Sequence, residues 1–324
     1  MTQLKSMFAF FALAISATFS SNALARPTAE MVSLPTGSTL AVWQIEAETT
    51  PRAETVIFLH GGPGLYTEDR RFDEAAVFRK AGYVTLFFDQ AGSGQSQKLK
   101  ASEYSLTRAV ADLEALRVSR GLNKVVLWGN SFGANLAVLY ARQYPQNVAG
   151  LVLTSPGTFP GLNVKRDYAR TKRNGLDIGK DLAKAAARID KDGSKAEPAY
   201  SQVETGKLLD ALTQSELLDA MTCKASTVAL PPLPGGGNLF VNRILQAELK
   251  KAKPDWSTLP QVPALIVRGD CDFLPVISAK AYQTAFTGEY VAIPNAGHAL
   301  LEDRLVVDAA IGSFIQRRLL AAKP

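Results

Sequence analysis

The chain has 324 residues, 47% of them apolar, and a formal net charge of +6 from 36 Lys and Arg against 30 Asp and Glu. That length supports one large core or a core carrying a sizeable insertion. The positive charge is spread without a basic block, so nothing supports nucleic-acid binding, and no repeat period or low-complexity tract appears.

At the start, Lys5, the apolar run Met7 to Phe19 and the small-x-small site Ala23-Leu24-Ala25 read as an export signal over residues 1–25, with the mature chain beginning at Arg26. The run is about a dozen residues, short of the roughly 20 that a spanning helix needs. The expectation is a chain exported across the inner membrane to the periplasm, with the medium as the alternative. No later segment is long and apolar enough to span, and the mature charge is about +5.

From there β-branched and aromatic runs alternate with helical periodicity, the pattern of a mainly parallel α/β sheet. After a first antiparallel strand at Thr39–Glu46, the strands expected are Thr55–Leu59, Tyr83–Phe88, Lys124–Trp128, Gly150–Thr154, Ala264–Val267 and Glu289–Ile293. Helices are expected at Phe72–Lys80, Leu106–Arg120, Phe132–Tyr144, Val276–Phe286 and Leu305–Leu320. Strand signals stop between Gly157 and Thr258, where amphipathic segments (Val164–Asp190, Thr213–Met221) flank a Pro- and Gly-rich stretch, Leu230–Asn238. This predicts a core of residues 26–156 and 259–324 with a helical lid, 157–258, inserted between two strands.

Gly129-Asn130-Ser131-Phe132-Gly133 follows a strand and opens a helix, the setting in which G-x-S-x-G raises a nucleophilic serine at a sheet's carboxyl edge. A serine hydroxyl needs an adjacent base. Only His60 and His298 exist, and His298 lies downstream of the serine and of the acid candidates, in the Ser, Asp, His chain order. The third member follows the strand Ala264–Val267: Asp272 is preferred, with Asp270 as the alternative. Oxyanion donors are the amide of Phe132 and that of Gly61 or Gly62, since Pro63 has no N–H. No Lys-Ser/Thr follows the glycine loop, so nucleotide use is not expected. Acid, histidine and thiol groups show no metal-ligand spacing, and no cofactor is expected. Cys223 and Cys271 are either a disulfide, which export permits, or two buried thiols.

Taken together, His60-Gly61-Gly62-Pro63-Gly64, Asp89-Gln90-Ala91-Gly92-Ser93-Gly94-Gln95-Ser96 and the serine turn resemble the proline iminopeptidase branch of the α/β-hydrolases, over roughly residues 40–157 and 260–318. The resemblance implies the α/β-hydrolase fold and a serine peptidase that removes an N-terminal residue, often proline, from small peptides. The chain departs from the family pattern at Ala91 and Asp270, where Arg is usual, and at Asn130 and Phe132, where Gly and Trp are usual. Such an aminopeptidase needs carboxylates facing the substrate ammonium. Glu197, Glu204 and Glu216 are lid candidates, although the lid carries 16 Lys and Arg against 12 Asp and Glu, so no acidic concentration marks one out. A carboxylesterase needs the same groups without the ammonium partner and is the alternative. A non-catalytic ligand receptor on this fold is the third reading.

Overall fold

Strands apolar on both faces need cover on both faces, and here six of them run parallel at the centre of the molecule. The computed structural model describes residues 27–164, 177–197, 199–215, 221–223, 234–253 and 255–321. The expected export signal and Glu216 lie outside these residues. No helix among the described residues is long and apolar enough to cross a membrane.

The strands are β1 (Glu30–Ser33), β2 (Thr39–Ile45), β3 (Thr55–Leu59), β4 (Thr85–Phe88), β5 (Val125–Asn130), β6 (Val148–Thr154), β7 (Ala264–Gly269) and β8 (Glu289–Ile293). Their order in the sheet is β1-β2-β4-β3-β5-β6-β7-β8, with β1 and β2 antiparallel to their neighbours. The helices of the core are α1 (Arg70–Glu74), α2 (Ala76–Lys80), α3 (Leu106–Ser119) and α4 (Phe132–Gln143). Between β6 and β7 come α5 (Asp177–Asp192), α6 (Gln202–Ser215) and α7 (Leu239–Lys251), and then α8 (Val276–Phe286) and α9 (Arg304–Phe314) close the chain.

Alternation along the strands divides the core into two layers. Ile57 and Leu59 face a layer built with Leu127, Leu113, Leu116 and Val138, whereas Val56 and Phe58 face Trp128, Phe78, Ile311 and Phe314. Phe58 and Trp128, with ring centroids 4.6 Å apart, anchor the second layer.

Differences from the sequence reading have local causes. The strand β1 is an edge strand whose residues are mostly exposed, so it carries no alternation to read. The helix expected at Phe72–Lys80 is two short helices meeting at Ala75. The one expected at Leu305–Leu320 turns into a π-helical stretch at Ile315–Leu319.

The chain reverses its winding at β3 and β5, whose carboxyl ends form the crevice where doubly wound sheets place ligands. Leu59 pairs with Gly129 across these strands, so Gly61 and Ser131 emerge side by side. The inserted segment seats on the same edge. Asn238 caps α7 by accepting the amide of Val241 and sends its own amide to Gly64 O at 2.7 Å and its side-chain Nδ2 to Gly92 O at 3.0 Å. Gly94 donates to Gly236 O at 2.8 Å, and Asn242 Nδ2 to Pro63 O at 2.8 Å. A Cβ on Gly64 would stand 2.2 Å from Asn238 O, so this approach requires glycine.

Candidate active site

The turn at Ser131 is sterically fixed. A Cβ on Gly133 would lie 1.9 Å from Leu59 O, and one on Gly129 2.6 Å from Gly133 O, so both positions exclude side chains. Ser131 itself has φ 53° and ψ −117°, a conformation costing an L-residue on the order of 1–3 kcal/mol. Three hydrogen bonds hold it there: its amide donates to Thr154 O at 3.1 Å, and its carbonyl accepts from Gly157 at 2.9 Å and Ala134 at 3.0 Å. Asn130 braces the turn from below. Its Nδ2 donates to Thr154 O at 3.1 Å, and its Oδ1 accepts from Arg71 Nη2 at 2.9 Å.

Three segments distant in sequence converge on the Ser131 hydroxyl. His298 Nε2 lies 3.0 Å from Ser131 Oγ, and His298 Nδ1 lies 2.9 Å from both carboxylate oxygens of Asp272. A carboxylate only accepts, so Nδ1 carries the proton and Nε2 is left to accept from the serine. Both side chains are buried, Asp272 1% and His298 4% exposed, which excludes the water that would otherwise compete for these contacts. The acid loop has its own supports: Leu274 N–H donates to Asp272 Oδ1 at 2.8 Å, and Arg268 Nη2 donates to the carbonyls of Asp272 and Leu274. The structure brings Asp272 to the imidazole and leaves Asp270 exposed. Phe273 packs against the other side of the ring, centroids 4.6 Å apart.

Phe132 opens α4, so its amide has no preceding turn to receive it. Gly61 runs beside the serine, where an added Cβ would stand 3.0 Å from Ser131 Cβ. The next residue, Gly62, has φ +117° and would clash with Leu65 N at 2.6 Å if it carried a side chain. The amide of Phe132 at the helix start and the backbone of Gly61 beside the serine are the candidate donors to a developing oxyanion, with Gly62 next in the chain.

His60 does something different. Its Nδ1 donates to Gly61 O and its Nε2 accepts from the Gln90 amide, both at 2.9 Å. Burial lowers its pKa despite the opposing pull of Asp89, so it is held neutral. Asp89 is likewise spent on structure: its carboxylate accepts from the amides of Thr67 at 2.8 Å and Gln95 at 2.9 Å.

Sequence reasoning did not find the charged group beside the site. Arg71 pairs with Glu74 at 2.7 Å, Arg70 pairs with Glu74 at 2.7 Å and with Glu68, and Arg304 reaches Glu74 at 3.3 Å. Burial pushes the Glu74 carboxyl up, but Arg71, Arg70 and Arg304 outweigh it and bring it down to about 2. The only sequence signal was the charge density of Glu68-Asp69-Arg70-Arg71, which reads equally as a solvated turn.

Of the three lid candidates for the ammonium partner, Glu197 and Glu204 are among the described residues. Glu197 accepts from Ala101 N–H at 2.8 Å and from Gln202, and Glu204 is exposed. Cys223 and Cys271 form a disulfide, which resolves the two readings of these residues. Asp270 converges with the two sulfurs, but bonded sulfurs have no thiolate to offer a metal.

The profile of the alpha/beta hydrolase fold family matches residues 54–305. The proline iminopeptidase of Neisseria meningitidis is 39% identical over 111 residues, covering 33% of this chain and 34% of that protein, so the chain matches about a third of that relative's length. A probable proline iminopeptidase of Leptolyngbya boryana is 23% identical over 284 residues, 79% of this chain and 85% of that protein. Among solved structures, an esterase from Exiguobacterium antarcticum superposes with TM-score 0.59 at 18% identity, covering 89% of this chain and 99% of its own. The proline iminopeptidase of Mycobacterium smegmatis gives TM-score 0.55 at 18% identity, covering 91% and 100%. At that identity these two likenesses speak to the fold alone.

Proposed function

We propose that this chain, which belongs to the alpha/beta hydrolase fold family, is a serine aminopeptidase of the proline iminopeptidase-like branch, acting on small peptides through an acyl-enzyme. The observation that carries this reading is the continuous contact from Asp272 through His298 to Ser131 Oγ. In the proposed reaction Nε2 of His298 takes the hydroxyl proton as Ser131 attacks the carbonyl carbon. Asp272 stabilises the imidazolium so formed, and the amides of Phe132 and Gly61 or Gly62 receive the oxyanion. His298 then gives that proton to the departing amine. Water, deprotonated by the same imidazole, releases the acyl group from Ser131. The short-peptide substrate and a periplasmic setting are parts of the same proposal.

One observation favours a carboxylesterase instead: of the expected partners of a substrate ammonium among the described residues, Glu197 is engaged by Ala101 and Gln202 and Glu204 is exposed. A side-by-side rate assay on prolyl and alanyl arylamides and on short-chain nitrophenyl esters separates the two readings. The aminopeptidase reading expects hydrolysis of free-amine arylamides, lost when the amine is acetylated and lost in Ser131→Ala. Turnover confined to esters overturns it in favour of the esterase.

A further inference from the structure

Residues 221–223 of the inserted segment sit between the loop that carries the base and the loop that carries the acid. Both chain neighbours of His298 are fixed to them. Ala299 N–H donates to Met221 O at 2.8 Å. On the other side, Gly297 N–H donates to Glu302 Oε2 at 3.1 Å, and the second oxygen of that carboxylate accepts from Cys223 N–H at 2.7 Å. The residue before Asp272 is tied to the same piece, because Cys271 is joined to Cys223 across 48 residues of sequence.

The approach at this junction is close. A Cβ on Gly297 would stand 2.4 Å from Met221 O and 2.5 Å from Thr222 Cα, so the histidine loop can lie against the segment only with glycine there. The two loops also meet directly, through Cys271 N–H to Ala296 O at 3.0 Å, so the segment adds to that contact and does not replace it. Both partners of Glu302 are N–H donors, and both of its oxygens must therefore accept. An amide of the same shape offers one acceptor and one donor, and would set its own N–H against one of theirs.

We propose that Glu302 and the Cys223–Cys271 disulfide are positioning residues, which clamp residues 221–223 between the two loops and so hold His298 Nδ1 on the Asp272 carboxylate. The proposal rests on the reading of Ser131, His298 and Asp272 as the catalytic set. It makes the inserted segment a part of the alignment of the base.

The test reads the rate at which a fluorophosphonate labels Ser131 as a function of pH, in wild type, Glu302→Gln, the double variant Cys223→Ala/Cys271→Ala and the combination of all three changes. In wild type the rate rises through an acid limb, as His298 loses its proton, to a plateau. Glu302→Gln and the cysteine variant each lower the plateau about 10- to 100-fold, the scale of a small misplacement of a catalytic group. The combination lowers it by less than the product of the two, because both break one clamp. In the cysteine variant the midpoint of the acid limb moves to lower pH, since an imidazole set less firmly against Asp272 gains less from that carboxylate on taking a proton. Glu68, Arg70 and Arg71 along the cleft, and Asp270 and Glu302 in the loops, keep their charges in this variant, so the movement reports the Asp272 contact. A role in stability alone lowers the melting temperature and leaves the plateau and the midpoint of the folded protein at their wild-type values. If Glu302→Gln does not fold, the cysteine variant carries the test. Folded variants with a wild-type plateau and midpoint overturn the clamp and leave the catalytic set standing. His298→Ala labelled at the wild-type rate overturns the reading on which the clamp rests.

Discussion

The loops after β3 and β8 each carry a buried histidine, and their hydrogen bonds give the two rings opposite capacities. His60 has both nitrogens engaged by backbone, donating to Gly61 O and accepting from Gln90 N–H. His298 has one nitrogen against a carboxylate and the other against a hydroxyl. A ring closed on both sides by backbone can only hold loops together. One that faces Asp272 is oriented for proton transfer and can carry the resulting charge. What takes the second nitrogen, more than burial, separates a structural histidine from a basic one.

The largest effects test the open ring. Ser131→Ala and His298→Ala should each lower kcat by about 10⁴-fold or more with a melting temperature close to that of wild type, measured on arylamide turnover and by calorimetry. Asp272→Asn should cost about 10³- to 10⁴-fold in kcat, because the amide no longer enforces the Nδ1–H tautomer. Asp270→Asn, on an exposed side chain, should change kcat by less than about threefold. Equal losses in the two aspartate variants would break the comparison at its carboxylate.

Smaller effects test what holds the loops. Cys271 precedes Asp272, and its disulfide to Cys223 ties the inserted segment to the acid loop. The same segment meets the His298 loop: Ala299 N–H donates to Met221 O at 2.8 Å, and Glu302 accepts from Cys223 and Gly297. Replacing both cysteines by alanine should lower unfolding free energy by about 2–4 kcal/mol in a urea titration. His60→Asn should cost about 1–3 kcal/mol by the same measurement, since it strands the Gln90 amide. Its pH signature has a definite sign. The folded pKa of His60 lies below the ordinary 6.5, so the unfolded chain takes up the proton first as pH falls. Stability from this group is complete above pH 6.5 and declines below it. That part of the acid slope should be missing in His60→Asn, and an unchanged slope would argue that His60 is not held neutral.

Legibility in the sequence followed the range of the constraint. The strands β3 and β8 and the helix α8 occupy the ranges read from pattern, because their apolar runs are bounded by turn residues. The serine turn was readable for the same reason: Gly129 and Gly133 are dictated by clashes within a few residues and with one neighbouring strand. The choice between Asp270 and Asp272 was partly readable, since loop spacing favours one of them. The seating of the inserted segment was not readable at all. It depends on the Gly236–Asn238 stretch folding back over the loop after β3, and no local pattern encodes that meeting. The helix α7 was missed because the glycine-rich run before it hides the Asn238 cap.

In the proposed mechanism Ser131 is activated by His298 and not by His60. The most direct test is labelling with a fluorophosphonate probe, followed by peptide mapping and by the rate of labelling in Ser131→Ala, His298→Ala and His60→Asn. Expected are one phosphonyl group on Ser131, none in Ser131→Ala, labelling slowed by about 10³-fold or more in His298→Ala, and a far smaller change in folded His60→Asn. Labelling of another serine, or a wild-type labelling rate in His298→Ala, would contradict it.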